Sequence, residues 1–100
     1  MIVVKVVNQA DLIQSLEVKG HAQSAKHGQD LICAGVSCIV TGLANAIDQL
    51  CGDVAEITLN EGFSEIIVKE QSERLQIVLN TGLIQLRMMA EQYPQYLKIK

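Results

Sequence analysis

The spacing of hydrophobic and polar residues changes along the chain, and each change predicts a different element. The β-branched run at residues 2–7 predicts a strand, and the alternation around Leu16 and Val18 predicts a second strand that pairs with it as a hairpin. Residues 31–51 contain no proline and almost no charge, which predicts one long, mostly buried helix with Asp30 as its N-cap.

The second half of the chain repeats this order. Residues 54–59 and 65–70 predict two strands around a turn, and recurrence of apolar residues at three and four predicts a helix over 73–92, capped by Ser72. The alternating tail at 96–100 can close the sheet. The order is therefore ββαββαβ, an α+β fold in which two helices pack on an antiparallel sheet in one compact domain, residues 1–100.

Composition narrows the class of protein. The chain has 100 residues, 49% hydrophobic and 19% charged, which allows one real core and excludes a disordered chain. With a net charge of -3 and scattered lysines and arginines, no direct nucleic-acid partner is expected. No segment resembles a signal peptide or approaches the roughly 18 residues of a membrane span, so we expect a cytoplasmic protein without a membrane partner.

The predicted helix at 31–51 has one polar stripe. Ser37, Thr41 and Asn45 follow one another at steps of four, and one turn further back the stripe reaches Cys33. Cys33 is therefore expected on the least apolar face of this helix.

Small residues occupy another face of the same helix. Gly35 and Gly42 are seven residues apart, and because glycine weakens a helix we expect another element to approach closely there. Cys38 is predicted to turn inward and Cys51 to lie in or beside the core, and all three cysteines are predicted to be free thiols.

Cys33 lies where a helix stabilises a thiolate. It is the third residue after the predicted cap, within reach of the unpaired N–H groups and the positive end of the helix dipole. A nearby imidazole can take the thiol proton and return it to a leaving group. His21 is the candidate because it ends the second predicted strand, across the polar loop 22–29 from the helix, although on a regular strand it would point away from the packed face.

Other roles remain open for these residues. Cys33 can be an ordinary small hydrophobe, and His21, His27 and Cys33 can ligate a metal, although their spacing matches no common zinc pattern. Asp30 can cap the helix, which is favoured, or orient His21. Ser37 can donate to the site or only contact water.

Two short blocks resemble a known family. Gly20-His21-Ala22, then Gly28 and the block DLICAGVS at 30–37, are similar to the signature of the bacterial ribosomal-processing cysteine proteases, the Prp family. The resemblance implies a homodimeric cysteine endopeptidase that removes the N-terminal extension of large-subunit ribosomal protein twenty-seven during ribosome maturation.

The resemblance also implies a Cys-His dyad and no cofactor or metal. Cys33 would be the nucleophile and His21 the general base, with the loop 22–29 moving to admit the substrate peptide. Our own addition is that the backbone N–H groups of Cys33 and Ala34 form an oxyanion hole. The alternatives are a non-catalytic dimeric protein that binds a ribosomal or assembly partner, and a thiol-based redox or metal protein.

Overall fold

The computed structural model describes residues 1–21 and 30–100; the predicted loop 22–29, with His27, lies outside them. In chain order the described elements are β1 (Ile2–Gln9), β2 (Leu12–Gly20), α1 (Leu31–Cys51), β3 (Ala55–Asn60), β4 (Phe63–Val68), α2 (Glu73–Gln92) and β5 (Leu97–Ile99). The predicted order ββαββαβ is confirmed. Both helices begin where a polar side chain was predicted to cap them, at Asp30 and Ser72.

The five described strands form one sheet in the order β3-β4-β2-β1-β5. Neighbours from β3 to β1 are antiparallel, as predicted, but β5 runs parallel to β1, with Ile2 opposite Leu97. The sheet is therefore mixed. Strands β4 and β1 are parallel to each other, because each is antiparallel to β2. Helix α2 carries the chain from the end of β4 back across the sheet, so β5 runs in the same direction as β1.

The hydrophobic core lies between one face of the sheet and the two helices. Alternate residues of β1 and β2, such as Val4 and Leu16, are buried, whereas those between them are at least partly exposed. Helix α1 contributes a buried stripe that includes Val36, Val40 and Leu43. The fold is a two-layer α+β sandwich with a single core.

By length and composition alone, α1 could cross a membrane, so the expectation that no segment approaches a span is wrong on that criterion. Six of its residues are nevertheless buried inside the protein: Ile32, Val36, Val40, Leu43, Ala44 and Ile47. Core helices commonly combine this length and composition with such packing.

The two glycines of α1 differ in their surroundings. A Cβ at Gly35 would lie 3.0 Å from the Cε of Met89 in α2, so the predicted close approach is found there. Around Gly42 a Cβ would meet nothing within 4 Å, so the prediction is wrong at that position. Among the helical glycines, the closest approach is instead at Gly82 of α2, where an added Cβ would lie 2.6 Å from Cδ2 of Leu43.

Candidate active site

The start of α1 positions the thiol. The Asp30 carboxylate oxygen Oδ1 accepts the backbone N–H groups of Ile32 and Cys33, both at 3.0 Å. This is the predicted N-cap. It fixes the first turn of the helix, on which Cys33 lies partly buried.

The two predicted oxyanion donors have other partners in this arrangement. The N–H of Cys33 donates to the Asp30 side chain, and the N–H of Ala34 donates to the Asp30 backbone carbonyl at 3.0 Å. Neither group is therefore available to an oxyanion unless the cap rearranges. The first helical turn here serves the cap and not the predicted oxyanion hole.

His21 follows the last residue of β2, where the strand geometry breaks. Gly20 has φ +105, and a Cβ there would overlap the carbonyl oxygen of Met1. The expectation that His21 points away from the packed face assumed a regular strand, and this left-handed residue removes the alternation. His21 instead lines a cavity that Cys33 also lines.

This cavity has a volume of about 540 Å³ and lies between the start of α1, the end of β2 and the β3–β4 turn. Asp30, Ala34 and Ser37, the three predicted supporting residues, also line it. Its apolar wall comes from the core side of the sheet and of α1, namely Ile2, Val18, Val36 and Val40. The structure thus brings together His21, Cys33 and all three supporting residues.

The β3–β4 turn is the part of the site that the sequence did not predict. Residues 60–64 line the cavity because β4 pairs with β2, which places Phe63 opposite Lys19, two residues before His21. A turn was expected around Gly62, but strand pairing is non-local and no pattern in the turn itself indicates its neighbour. Asp30 and Glu61 are the acidic residues that line the cavity within the described part of the chain.

The remaining cysteines differ from their predictions in one respect. Cys38 is exposed, so the prediction that it turns inward is wrong, whereas Cys51 is partly buried against the core as expected. Within residues 1–21 and 30–100, no group of three metal-ligating side chains could hold an ion. The alternative metal site also needs His27, which lies outside the described part of the chain.

Comparison with known proteins gives one consistent result. The family model described as cysteine protease Prp matches residues 1–98 of the chain. The chain is 32% identical over 94 residues to the ribosomal processing cysteine protease Prp of Bacillus subtilis, covering 87% of this chain and 84% of the relative.

Solved structures agree over the whole fold. The S. aureus ribosomal processing protease Prp in complex with a covalently linked product peptide has a TM-score of 0.92 and 29% identity, covering 100% of this chain and 98% of that chain. The same protease in complex with a substrate peptide gives a TM-score of 0.88 with 27% identity, again covering 100% of this chain and 98% of that one.

Proposed function

Since the chain belongs to the cysteine protease Prp family, we propose that it cleaves a ribosomal protein by attack of the Cys33 thiolate with His21 as general base. One observation carries this assignment of residues: His21 and Cys33 line the same cavity, although the segment 22–29 separates them in the sequence. The chain is a cysteine protease. The substrate and the catalytic roles of Cys33 and His21 are the proposal.

The chemistry proceeds in two steps. His21 takes the proton of the Cys33 thiol, and the sulfur attacks the peptide carbonyl carbon to give a tetrahedral oxyanion. When the C–N bond breaks, His21 protonates the departing amine and a thioester remains on Cys33. A water molecule, deprotonated by His21, then attacks the thioester, releasing the carboxylic acid and restoring the thiol.

For the substrate, we propose the N-terminal extension of large-subunit ribosomal protein twenty-seven. The relatives are named ribosomal processing proteases, and one solved neighbour holds a substrate peptide, which supports a peptide of this class. We propose a cytoplasmic location because the substrate is a ribosomal component.

We also propose that the protein is a homodimer. Ile77, Ile84 and Met88 of α2 are 62%, 54% and 56% exposed, and their spacing places them along one stripe of the helix. An exposed apolar stripe of this kind is typical of an interaction surface. Ile84→Asp is expected to shift the protein from dimer to monomer in light scattering, whereas an unchanged mass would contradict this interface.

The proposed dyad is tested with a peptide that spans the junction of the extension. Cys33→Ala and His21→Ala should each lower kcat to background while retaining the wild-type circular dichroism spectrum and melting temperature. Cys38→Ser is the matched control because it removes an exposed thiol five residues further along α1 and should leave cleavage unchanged. Cleavage retained in both dyad variants would refute the assignment, and peptide binding without any product would favour the non-catalytic alternative.

A further inference from the structure

The His21 imidazole lies against a glycine of the β3–β4 turn. A Cβ built on Gly62 would be 2.9 Å from Nε2, 3.4 Å from Cε1 and 3.7 Å from Cδ2 of His21. The first distance is shorter than real Cβ contacts allow. The Nε2 edge of the ring therefore occupies volume that any other residue at position 62 would fill.

The same glycine is bonded to the backbone that carries the ring. The carbonyl oxygen of Gly62 accepts the N–H of Gly20 at 2.9 Å, and Gly20 immediately precedes His21. On the other side, the amino group of Met1 donates to the carbonyl oxygen of His21 at 2.6 Å. The turn thus holds both the main chain leading to His21 and one edge of its side chain.

Such a contact matters because His21 is an exposed residue at the end of a strand. An exposed imidazole loses rotamer freedom when it is held for proton transfer, and a fixed surface reduces that loss during the reaction. Gly62 also has φ +76, so glycine satisfies two requirements at one position: the left-handed backbone and the absence of a Cβ.

We infer that Gly62 is a positioning residue, and that the β3–β4 turn provides the packing surface that orients the His21 imidazole. This inference rests on the proposed role of His21 as general base. It adds an element, distant in sequence from both members of the dyad, that sets the orientation of the base.

The chain offers a matched control for backbone strain. Gly52, the C-cap of α1, has φ +82 and a Cβ there would meet nothing within 4 Å. Gly52→Ala and Gly62→Ala both place a Cβ on a residue with positive φ, but only the second places a methyl group on the imidazole. Gly62→Asn is the third variant, since asparagine tolerates this backbone conformation yet still carries a Cβ.

Two measurements decide the matter. Gly62→Ala and Gly62→Asn should lower kcat on the spanning peptide by about tenfold to a hundredfold with KM changed less than about twofold, whereas Gly52→Ala should keep the wild-type kcat. The ¹H–¹⁵N resonances of the His21 imidazole, assigned with a His27→Ala variant, should shift in both Gly62 variants and remain unchanged in Gly52→Ala.

The outcomes separate this inference from the proposed function. If His21→Ala is inactive but Gly62→Ala and Gly62→Asn both match Gly52→Ala in kcat and imidazole resonances, the positioning role of Gly62 is refuted and the dyad stands. Wild-type kcat in Gly62→Asn alone would also refute it, because the loss in Gly62→Ala would then reflect strain. Full cleavage in His21→Ala would overturn the dyad, and the positioning role with it.

Discussion

The carboxylate of Asp30 holds the backbone N–H of Cys33 at 3.0 Å, so one side chain both begins α1 and fixes the residue that carries the thiol. The negative charge also lies at the positive end of the helix dipole, where it is stabilising. The cap therefore holds the turn on which the thiol of Cys33 lies. We expect stability and cleavage to be coupled at this turn.

Removing the cap should therefore affect more than stability. Asp30→Ala is expected to lower the free energy of unfolding by about 1 kcal/mol, and to reduce kcat because the turn that carries Cys33 frays. Asp30→Asn retains an oxygen acceptor and should keep most of the stability. Urea denaturation and peptide cleavage measure the two effects.

Ser72→Ala is the control for this prediction. Its hydroxyl caps α2 by accepting the N–H of Leu75 at 3.0 Å, and it does not line the cavity. It should cost a similar free energy while leaving the cleavage rate unchanged. Equal cleavage rates in Asp30→Ala and Ser72→Ala, measured below the melting temperature of both, would contradict the coupling.

The three thiols should react with iodoacetamide in different ways. Cys33 should be labelled fastest because it lines the same cavity as the proposed general base His21. Exposed Cys38 should be labelled more slowly, and Cys51 should be slowest because it packs against the core. Peptide mapping by mass spectrometry distinguishes the three sites.

Two variants test the cause of this selectivity. His21→Ala should reduce the labelling rate of Cys33, and Cys38→Ser should leave that rate unchanged. Labelling that falls mainly on Cys38 would show that exposure, and not the imidazole, controls reactivity.

A surface ion pair gives a pH dependence of stability. The Nζ of Lys69 lies 2.9 Å from Oδ1 of Asp53, and this hydrogen bond, with the lysine charge, lowers the pKa of the Asp53 carboxyl. Because the pKa of Asp53 is lowered in the folded state, the ion pair stabilises the fold above the unfolded-state pKa, near pH 4. This stabilisation is lost as the pH falls through the folded-state pKa. Both side chains are largely exposed, so the contribution is small and weakened by salt.

Asp53→Asn is the variant that reports on this pair. Its melting temperature should lie slightly below that of the wild type at pH 7 and low salt, and the difference should vanish both near pH 2 and in about 1 M salt. A difference in melting temperature that persists under either condition would show that it does not come from the charges of the ion pair.

Local signals predicted the helices well because both ends of each helix are encoded nearby. Asp30 and Ser72 supply acceptors for the first turn, and Gly52 and Pro94 follow the last. The direction of β5 could not be predicted, since alternation in a strand is the same for parallel and antiparallel neighbours. It depends on where the crossover through α2 delivers the chain.

The error at Cys38 has a related cause. When nearly all residues of a helix are apolar, the sequence does not show which face meets the core. Leu31 and Leu50 of α1 are 82% and 56% exposed, although each looks like a core residue in the sequence. His21 and Cys33 were proposed from their positions at element ends, whereas the contact of Gly62 with His21 depends on strand pairing and could not be predicted from the sequence.

Two helical glycines, one at the contact between α1 and α2 and one away from it, should respond in opposite directions to replacement by alanine. Buried Gly82 faces Leu43, whose Cδ2 would lie 2.6 Å from an added Cβ, so Gly82→Ala should lower the free energy of unfolding by about 1–3 kcal/mol. At exposed Gly42 the same change meets open space and should raise it by about 0.5–1 kcal/mol through helix propensity. Urea denaturation measures both, and a Leu43→Val change should recover part of the loss in Gly82→Ala but give no gain with Gly42→Ala. Stabilisation by both alanines would mean that the helices can move apart without cost.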